Sequence, residues 1–309
     1  MKSTESTSSS AAPRVRRTWW KKLLFVVGTL ALVLGAVGGA TVAWAYSNVG
    51  ERMGRSWEVT VPTLEMPSDP ESLARGEHLL RHVCACVECH GDDLGGKRML
   101  EDPALGILDA PNLTRGRGGR GLGLDVEDWE RAILHGVGTH GRSLLVMPAE
   151  DYTRLSARDL AALIAYARSM PPIDRETSVE LKPLAYVLAA MDELPLASAE
   201  HVDHDASLPA HVEPGPTLAY GEYLGRMCIG CHGNDFGGQE MQGAPPGTPL
   251  VPSLRGLGAR GWSETSFERA LRHGEGLDRR LHDFMPWRAY AGLHDDEVAA
   301  LWTFFATVE

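Results

Sequence analysis

The chain has 309 residues, of which 43% are hydrophobic and 23% charged, and its formal net charge is -11. That length predicts two folded units of roughly 100 to 200 residues each, and the composition excludes a chain disordered throughout. The charge is uneven: residues 1–22 sum to +5, residues 23–46 carry none, and the rest sums to -16. A body that acidic repels nucleic acid phosphates, so no nucleic acid partner is expected; it suits either basic docking partners or a plainly solvated exterior.

Residues 1–22 read as a basic cytoplasmic tail. From Leu23 to Ala45 the chain runs 23 residues without a charge, and at about 1.5 Å rise per residue that crosses a hydrocarbon core of about 30 Å. Trp19 and Trp20 at one end, and Trp44 and Tyr46 at the other, suit the two membrane interfaces. A single transmembrane helix is therefore expected over 23–46, in the inner membrane, with the remaining residues on the periplasmic side. A cleaved signal peptide is the alternative, because Ala43-Trp44-Ala45 has the form of a cleavage site, although signal cores usually span only about 7 to 15 residues. Both readings imply export.

Residues 47–69, with Pro62 and Pro67, read as a tether. After it the sequence repeats itself, as a unit over 70–175, a connector over 176–213 with one short helix, and a second unit over 214–309. Leu73-Ala74-Arg75-Gly76-Glu77 matches Leu218-Ala219-Tyr220-Gly221-Glu222, and Gly91-Asp92-Asp93-Leu94-Gly95-Gly96 matches Gly233-Asn234-Asp235-Phe236-Gly237-Gly238. Pro111-Asn112-Leu113 answers Pro252-Ser253-Leu254, and the segment ending in His135-Gly136 answers that ending in His273-Gly274. Asp69 and Pro70 signal the start of the first opening helix. Ser156 and Asp159 signal a capped closing helix, with an apolar stripe at Leu160, Leu163, Ile164 and Ala167 that Val298, Leu301, Trp302 and Phe305 repeat.

Inside each unit stands a C-x-x-C-H motif: Cys86-Val87-Glu88-Cys89-His90 and Cys228-Ile229-Gly230-Cys231-His232. Two thiols one helical turn apart can form thioethers with the vinyl groups of a haem, and the adjacent imidazole then ligates the iron. A zinc site would need a second nearby pair of ligands, which neither motif has. The expected cofactors are thus two covalently bound haems c, on Cys86, Cys89, Cys228 and Cys231, with His90 and His232 as axial ligands. Cys84 is left over and reads as a spare buried thiol or an intermolecular disulfide partner.

The opposite axial ligand should come from a stiff loop before the closing helix. Met147-Pro148 lies 57 residues beyond His90 and Met285-Pro286 lies 53 beyond His232, and the proline fixes the backbone beside the sulfur. Core methionines are the competing reading. Met99 and Met241, each nine residues after its histidine, suit the haem wall or a loop, while His135, His140, His273 and His282 are the candidates for a bis-histidine alternative. Thioether ligation favours ferrous iron and raises the potential, and two filled axial positions leave no site for oxygen or peroxide, which points to electron transfer rather than catalysis.

With these motifs the chain resembles bacterial membrane-anchored di-haem cytochromes c built from two class I cytochrome c domains, over nearly all of residues 70–309. The resemblance implies an all-α fold, a transmembrane helix followed by two tandem domains. It also implies a place in a respiratory chain, with a dehydrogenase or quinol-oxidising complex as donor and an oxidase or soluble cytochrome as acceptor. A di-haem peroxidase with one open haem is the alternative from another class. Two departures stand out. Gly76 precedes Cys86 by ten residues but Gly221 precedes Cys228 by seven, and Ser253 replaces Asn112, so the hydrogen bonds beside the two motifs should differ.

Overall fold

The computed structural model describes residues 16–245 and 247–309, so the first part of the basic tail, residues 1–15, lies outside the described residues. The chain is mostly helical. Helix α1 (Arg16–Gly54) contains the apolar run, along which Leu24, Phe25, Leu30, Leu32, Leu34 and Val37 are exposed. It does not stop at Tyr46. The expected tether begins as eight more residues of the same helix, because Ala45, Val49 and Met53 repeat at i, i+4 and i+8 and the first two are buried. Beyond it, Trp57 donates its backbone N–H to Gly141 O at 2.7 Å, so the extended part of the tether is pinned to the body.

Each repeat is built on an opening helix crossing a closing helix. In the first, α2 (Pro70–His78) starts at Asp69, whose carboxylate accepts the Ser72 N–H at 2.9 Å. The chain then widens into a π-helical turn over Leu79–Val83 and passes through left-handed Ala85 (φ 51°) before α3 (Cys86–His90). This detour absorbs the three extra residues of the first repeat. After α3 come β1 (Lys97–Asp102), β2 (Gly106–Ala110), α4 (Val126–His135), α5 (Ala149–Tyr152) and α6 (Ala157–Ser169). The connector holds β3 (Val179–Leu181) and α7 (Pro183–Ala190). The second repeat follows as α8 (Leu218–Gly225), α9 (Ile229–His232), α10 (Glu264–His273), α11 (Trp287–Tyr290) and α12 (Asp295–Phe305).

The crossing depends on Gly76 and Gly221. A Cβ on Gly76 would stand 2.0 Å from the Ala162 carbonyl oxygen, and one on Gly221 would stand 1.9 Å from that of Ala300. The equivalent glycines of the repeat are therefore where α2 meets α6 and α8 meets α12, with backbone against backbone.

The all-α expectation needs one correction, since β1, β2 and β3 form a small antiparallel sheet in the order β1-β2-β3. Asp102 accepts the N–H groups of Ala104 and Leu105 and so shapes the turn between β1 and β2. Gly106 pairs with Leu181 and Leu108 with Val179, so the connector supplies the third strand. The corresponding loop of the second repeat has no such partner among the described residues and shows only a bridge between Gln239 and Val251.

The two repeats share one apolar core, which runs from Leu79, Leu80, Leu160 and Ile164 to Tyr220, Leu301 and Phe305. Across it lies a buried polar network. Arg75 donates to both Asp159 oxygens at 3.1 Å and to Glu297 Oε1 at 3.3 Å. Tyr223 donates to Asp159 Oδ2 at 2.7 Å, Tyr220 donates to Glu297 Oε1 at 3.0 Å, and His78 Nε2 lies 2.6 Å from Glu297 Oε2. Ser156 caps α6 as expected by accepting the Asp159 N–H, while the Asp159 carboxylate turns to Arg75 and Tyr223 instead of closing a capping box.

Burial alone would raise the Glu297 carboxyl, but the hydrogen bond and charge of His78, with Tyr220, bring it down to about 2. A folded value below the ordinary 4.5 contributes stability that is complete above about pH 4.5 and is lost as pH falls towards 2, on the order of 3 kcal/mol. Replacing Glu297 with Gln should therefore destabilise the protein at pH 7 and lose most of that penalty by pH 3. Thermal unfolding of both proteins between pH 7 and 3 checks this, and a penalty independent of pH would contradict it.

Candidate haem-attachment sites

Cys86 and Cys89 sit on α3, while Cys228 ends a 3-10 turn and caps α9, which holds Cys231, so in both repeats the two thiols stand one turn apart. Cys86, Cys89, Cys228 and Cys231 are all free thiols. Burial pushes the Cys86 and Cys228 thiols up to about 12, so they are held neutral in apolar surroundings. His90 Nδ1 lies 2.9 Å from Pro111 O, and His232 Nδ1 lies 2.7 Å from Pro252 O. With Nδ1–H donating to that carbonyl, Nε2 keeps its lone pair for a metal. Burial lowers the affinity of both rings for a second proton, with the carbonyl contact opposing it, which favours the neutral, ligating form.

The loop after each histidine is the same structure twice. Gly96 N–H donates to His90 O and Gly238 N–H to His232 O, at 2.9 and 2.8 Å. Leu113 N–H donates to Leu94 O and Leu254 N–H to Phe236 O, both at 2.8 Å. These bonds carry the Pro111 and Pro252 carbonyls to the imidazoles. The expected difference at Asn112 and Ser253 is present. Buried Asn112 donates to Ile173 O at 2.7 Å and accepts from Thr114, tying the loop to the segment that follows the closing helix. Ser253 instead donates to Phe236 O at 3.1 Å within its own loop.

The Met-Pro pairs also adopt one geometry. Pro148 (φ -79°, ψ 63°) and Pro286 (φ -78°, ψ 48°) are the centres of inverse γ-turns. In these turns Ala149 N–H reaches Met147 O at 2.9 Å and Trp287 N–H reaches Met285 O at 2.8 Å. Met147 and Met285 are partly buried against the shared core. The other candidates fall elsewhere. His140, His273 and His282 are exposed, and His135 is buried with its Nδ1 3.0 Å from that of His204 in the connector. Met99 is exposed on β1 rather than lining a wall, and Met241 is partly exposed in a loop.

The first repeat has an open cavity beside Leu113, two residues after Pro111, that none of Cys86, Cys89, His90 and Met147 lines. This cavity of about 510 Å³ is lined by Met66, Leu113, Leu124, Trp129 and Met170. The Trp129 indole N–H is buried with no hydrogen-bond partner among the described residues, so a polar edge of a bound group would satisfy it. The equivalent residue of the second repeat is Phe267, which offers no such donor.

One further expectation holds, and one contact was missed by sequence reasoning. Cys84, as expected, is a buried free thiol, and its carbonyl lies 3.4 Å from the Tyr152 hydroxyl. Asp151 on α5 of the first repeat presses on the motif of the second: a Cβ on Gly230 would stand 2.3 Å from Asp151 Oδ2. Burial, with the nearby charge of Glu150, raises the Asp151 carboxyl to about 7. The absence of a side chain at residue 230 was the only sign of this contact in the sequence.

Comparison with known proteins accords with this geometry. The family model described as cytochrome C oxidase, cbb3-type, subunit III matches residues 71–166 and 220–305. The gluconate 2-dehydrogenase cytochrome c subunit of Pantoea cypripedii is 30% identical over 230 residues, covering 65% of this chain and 50% of that protein. The fructose dehydrogenase cytochrome subunit of Gluconobacter japonicus is 33% identical over 139 residues, covering 42% and 28% respectively. The chain thus spans half or less of the length of these curated relatives. With a matching segment in each repeat, both holding a C-x-x-C-H motif, the chain belongs to the cytochrome c family of the cbb3-type oxidase subunit III and is a cytochrome c with covalently bound haem.

Proposed function

We propose that the protein is a membrane-anchored di-haem cytochrome c that carries electrons from a dehydrogenase to a respiratory acceptor. The observation that carries this reading is the twofold occurrence of one arrangement: an imidazole oriented by a proline carbonyl, half-buried at His90 and buried at His232, and a methionine held in a proline-centred turn. Cys86 and Cys89 would hold one haem and Cys228 and Cys231 the other, in units over 70–175 and 214–309. When bound, each haem supplies one-electron ferric–ferrous chemistry. The chain's own task is to fix geometry. Pro111 and Pro252 orient His90 and His232, the γ-turns present the Met147 and Met285 sulfurs, and the shared apolar core excludes water and keeps the oxidised and reduced geometries close.

Replacing Met147 or Met285 with His should change the optical spectrum of one haem only and lower its potential, because a second imidazole favours ferric iron. Redox titration of each variant checks this, and an unchanged spectrum would remove that methionine from the ligand set. With both axial positions filled, carbon monoxide should bind slowly to the reduced protein. Rapid binding at one haem would instead favour the peroxidase reading.

The dehydrogenase partner is supported by relatives whose names assign them to gluconate and fructose dehydrogenases, which suggests a donor that oxidises a sugar or sugar acid. Such a dehydrogenase should co-purify from detergent-solubilised membranes and reduce the haems when given its substrate. Its rate should fall as salt screens the acidic body. The apolar part of α1 supports anchorage in the inner membrane with the haem units on the periplasmic side.

A further inference from the structure

The way α1 joins the body bears on where the body sits. The helix is unbroken through Tyr46 to Gly54. It is clamped beyond the apolar run: Tyr46 stacks on Tyr186 of α7 with ring centroids 4.0 Å apart. Farther along, Arg52 donates to Ala189 O at 2.9 Å and pairs with Glu200 at 2.7 Å. Ala45 and Val49 on one side, and Ala185 and Ala189 on the other, are buried together. The two helices therefore run in the same direction, and the first residues of α7 lie level with Trp44 to Tyr46, where the apolar run meets its aromatic belt.

That level carries more apolar surface than α1 alone supplies. Pro183 is exposed, and Leu184 at the start of α7 is 45% exposed. The turn between β1 and β2 is brought to the same place, because Lys182 donates its backbone N–H to Leu105 O at 3.0 Å and its Nζ to Pro103 O at 2.7 Å. Pro103 and Ala104 at the tip of that turn are exposed. Trp44 and Tyr46, at the same level along α1, are 50% and 42% exposed.

We propose that this face, made of Trp44, Tyr46, Pro183, Leu184 and the Pro103–Ala104 turn, rests in the headgroup layer of the bilayer that α1 crosses, so that its partner is membrane lipid. The proposal rests on the anchor reading and extends it. The chemistry fits lipid, since exposed aromatic rings and small apolar side chains suit the boundary between acyl chains and headgroups, and the Lys182 ammonium stands where phosphates lie. A rigid helix clamped at its exit, with a second contact on the surface, holds the haem units at one height and one orientation. A flexible tether would let them swing.

The test uses the full haem-loaded chain carrying a photo-crosslinking phenylalanine analogue at one site, Leu30, Leu184 or Leu277, reconstituted in vesicles of phosphatidylethanolamine and phosphatidylglycerol. Leu277 is an exposed residue of the second repeat and serves as the solvent control. After irradiation, mass spectrometry should find lipid adducts at residues 30 and 184 and none at 277. Lipid adducts at 30 without any at 184 would overturn the proposal while leaving the anchor intact, and none at either site would overturn the anchor reading itself. Repeating the irradiation in native membranes separates the remaining case, because a protein adduct at 184 in place of lipid would assign this face to a partner subunit and overturn the proposal.

Discussion

Chains in which Cys228 and Cys231 are both serine should retain one covalent haem in place of two. Thioether attachment needs both sulfurs within reach of one haem edge, and Cys228 at the N-cap of α9 and Cys231 within it stand one turn apart beside His232. Without them, any haem held at the proposed ligands His232 and Met285 would be a dissociable group, which acid-acetone extraction removes. The pyridine haemochrome signal per chain should halve, and the intact mass should fall by one haem beyond the change of sulfur to oxygen. The paired change at Cys86 and Cys89 should do the same for the other site, and all four together should give a colourless protein. A double variant that keeps its full covalent haem content would overturn the two-site assignment. Because the repeats share a core, the single-haem protein should also melt at a lower temperature while its remaining haem keeps its spectrum.

The largest effect expected from a single substitution lies away from either motif, at Gly221. A Cβ there would stand 1.9 Å from the Ala300 carbonyl oxygen, and a backbone carbonyl held in a helix cannot swing aside as a side-chain end would. Valine in place of Gly221 must push α8 and α12 apart by more than an ångström, which breaks the packing of Tyr220 and Leu224 against Leu301 and Phe305 and loosens the support of α9. Forced overpacking of this kind costs about 3 kcal/mol or more, which for a body of this size lowers the melting temperature by roughly 10 °C. Differential scanning calorimetry of the haem-loaded protein reads the shift. A change of less than about 2 °C would show that the helices have more room than the structure gives them. The same change at Gly76, opposite Ala162, should be comparably damaging and should reach the first site.

Much of the chemistry was legible in the sequence because covalent and local requirements write themselves into short motifs. Two C-x-x-C-H motifs, two Met-Pro pairs and a repeated glycine-rich loop name the candidate ligands and their stiffening without reference to distant residues. The closing helices were legible for the same reason, since an apolar stripe with an N-cap is a local pattern. What could not be read is what depends on the encounter of remote segments. The hairpin of β1 and β2 becomes a sheet only because Val179 to Leu181 arrives from the connector. The helical start of the tether is held by α7, well over a hundred residues along the chain. Gly76 and Gly221 were visible as matching positions, yet only the crossing explains why a side chain is intolerable there. Proline carbonyls carry no side-chain signature, so the acceptors for His90 and His232 needed the loop geometry to reveal them.

The polar network at the centre has a pattern of its own. His78 of the first repeat reaches Glu297 of the second, and at the equivalent positions Tyr223 of the second reaches Asp159 of the first. Within each repeat, Arg75 with Asp159 mirrors Tyr220 with Glu297. Reciprocal contacts between like positions are the mark of isologous pairing about a twofold axis. The two repeats are thus packed about a pseudo-twofold axis, and the residues that differ between them meet along it. An arginine and a histidine on one side now face two tyrosines on the other, so each half fits its neighbour better than it would fit a copy of itself.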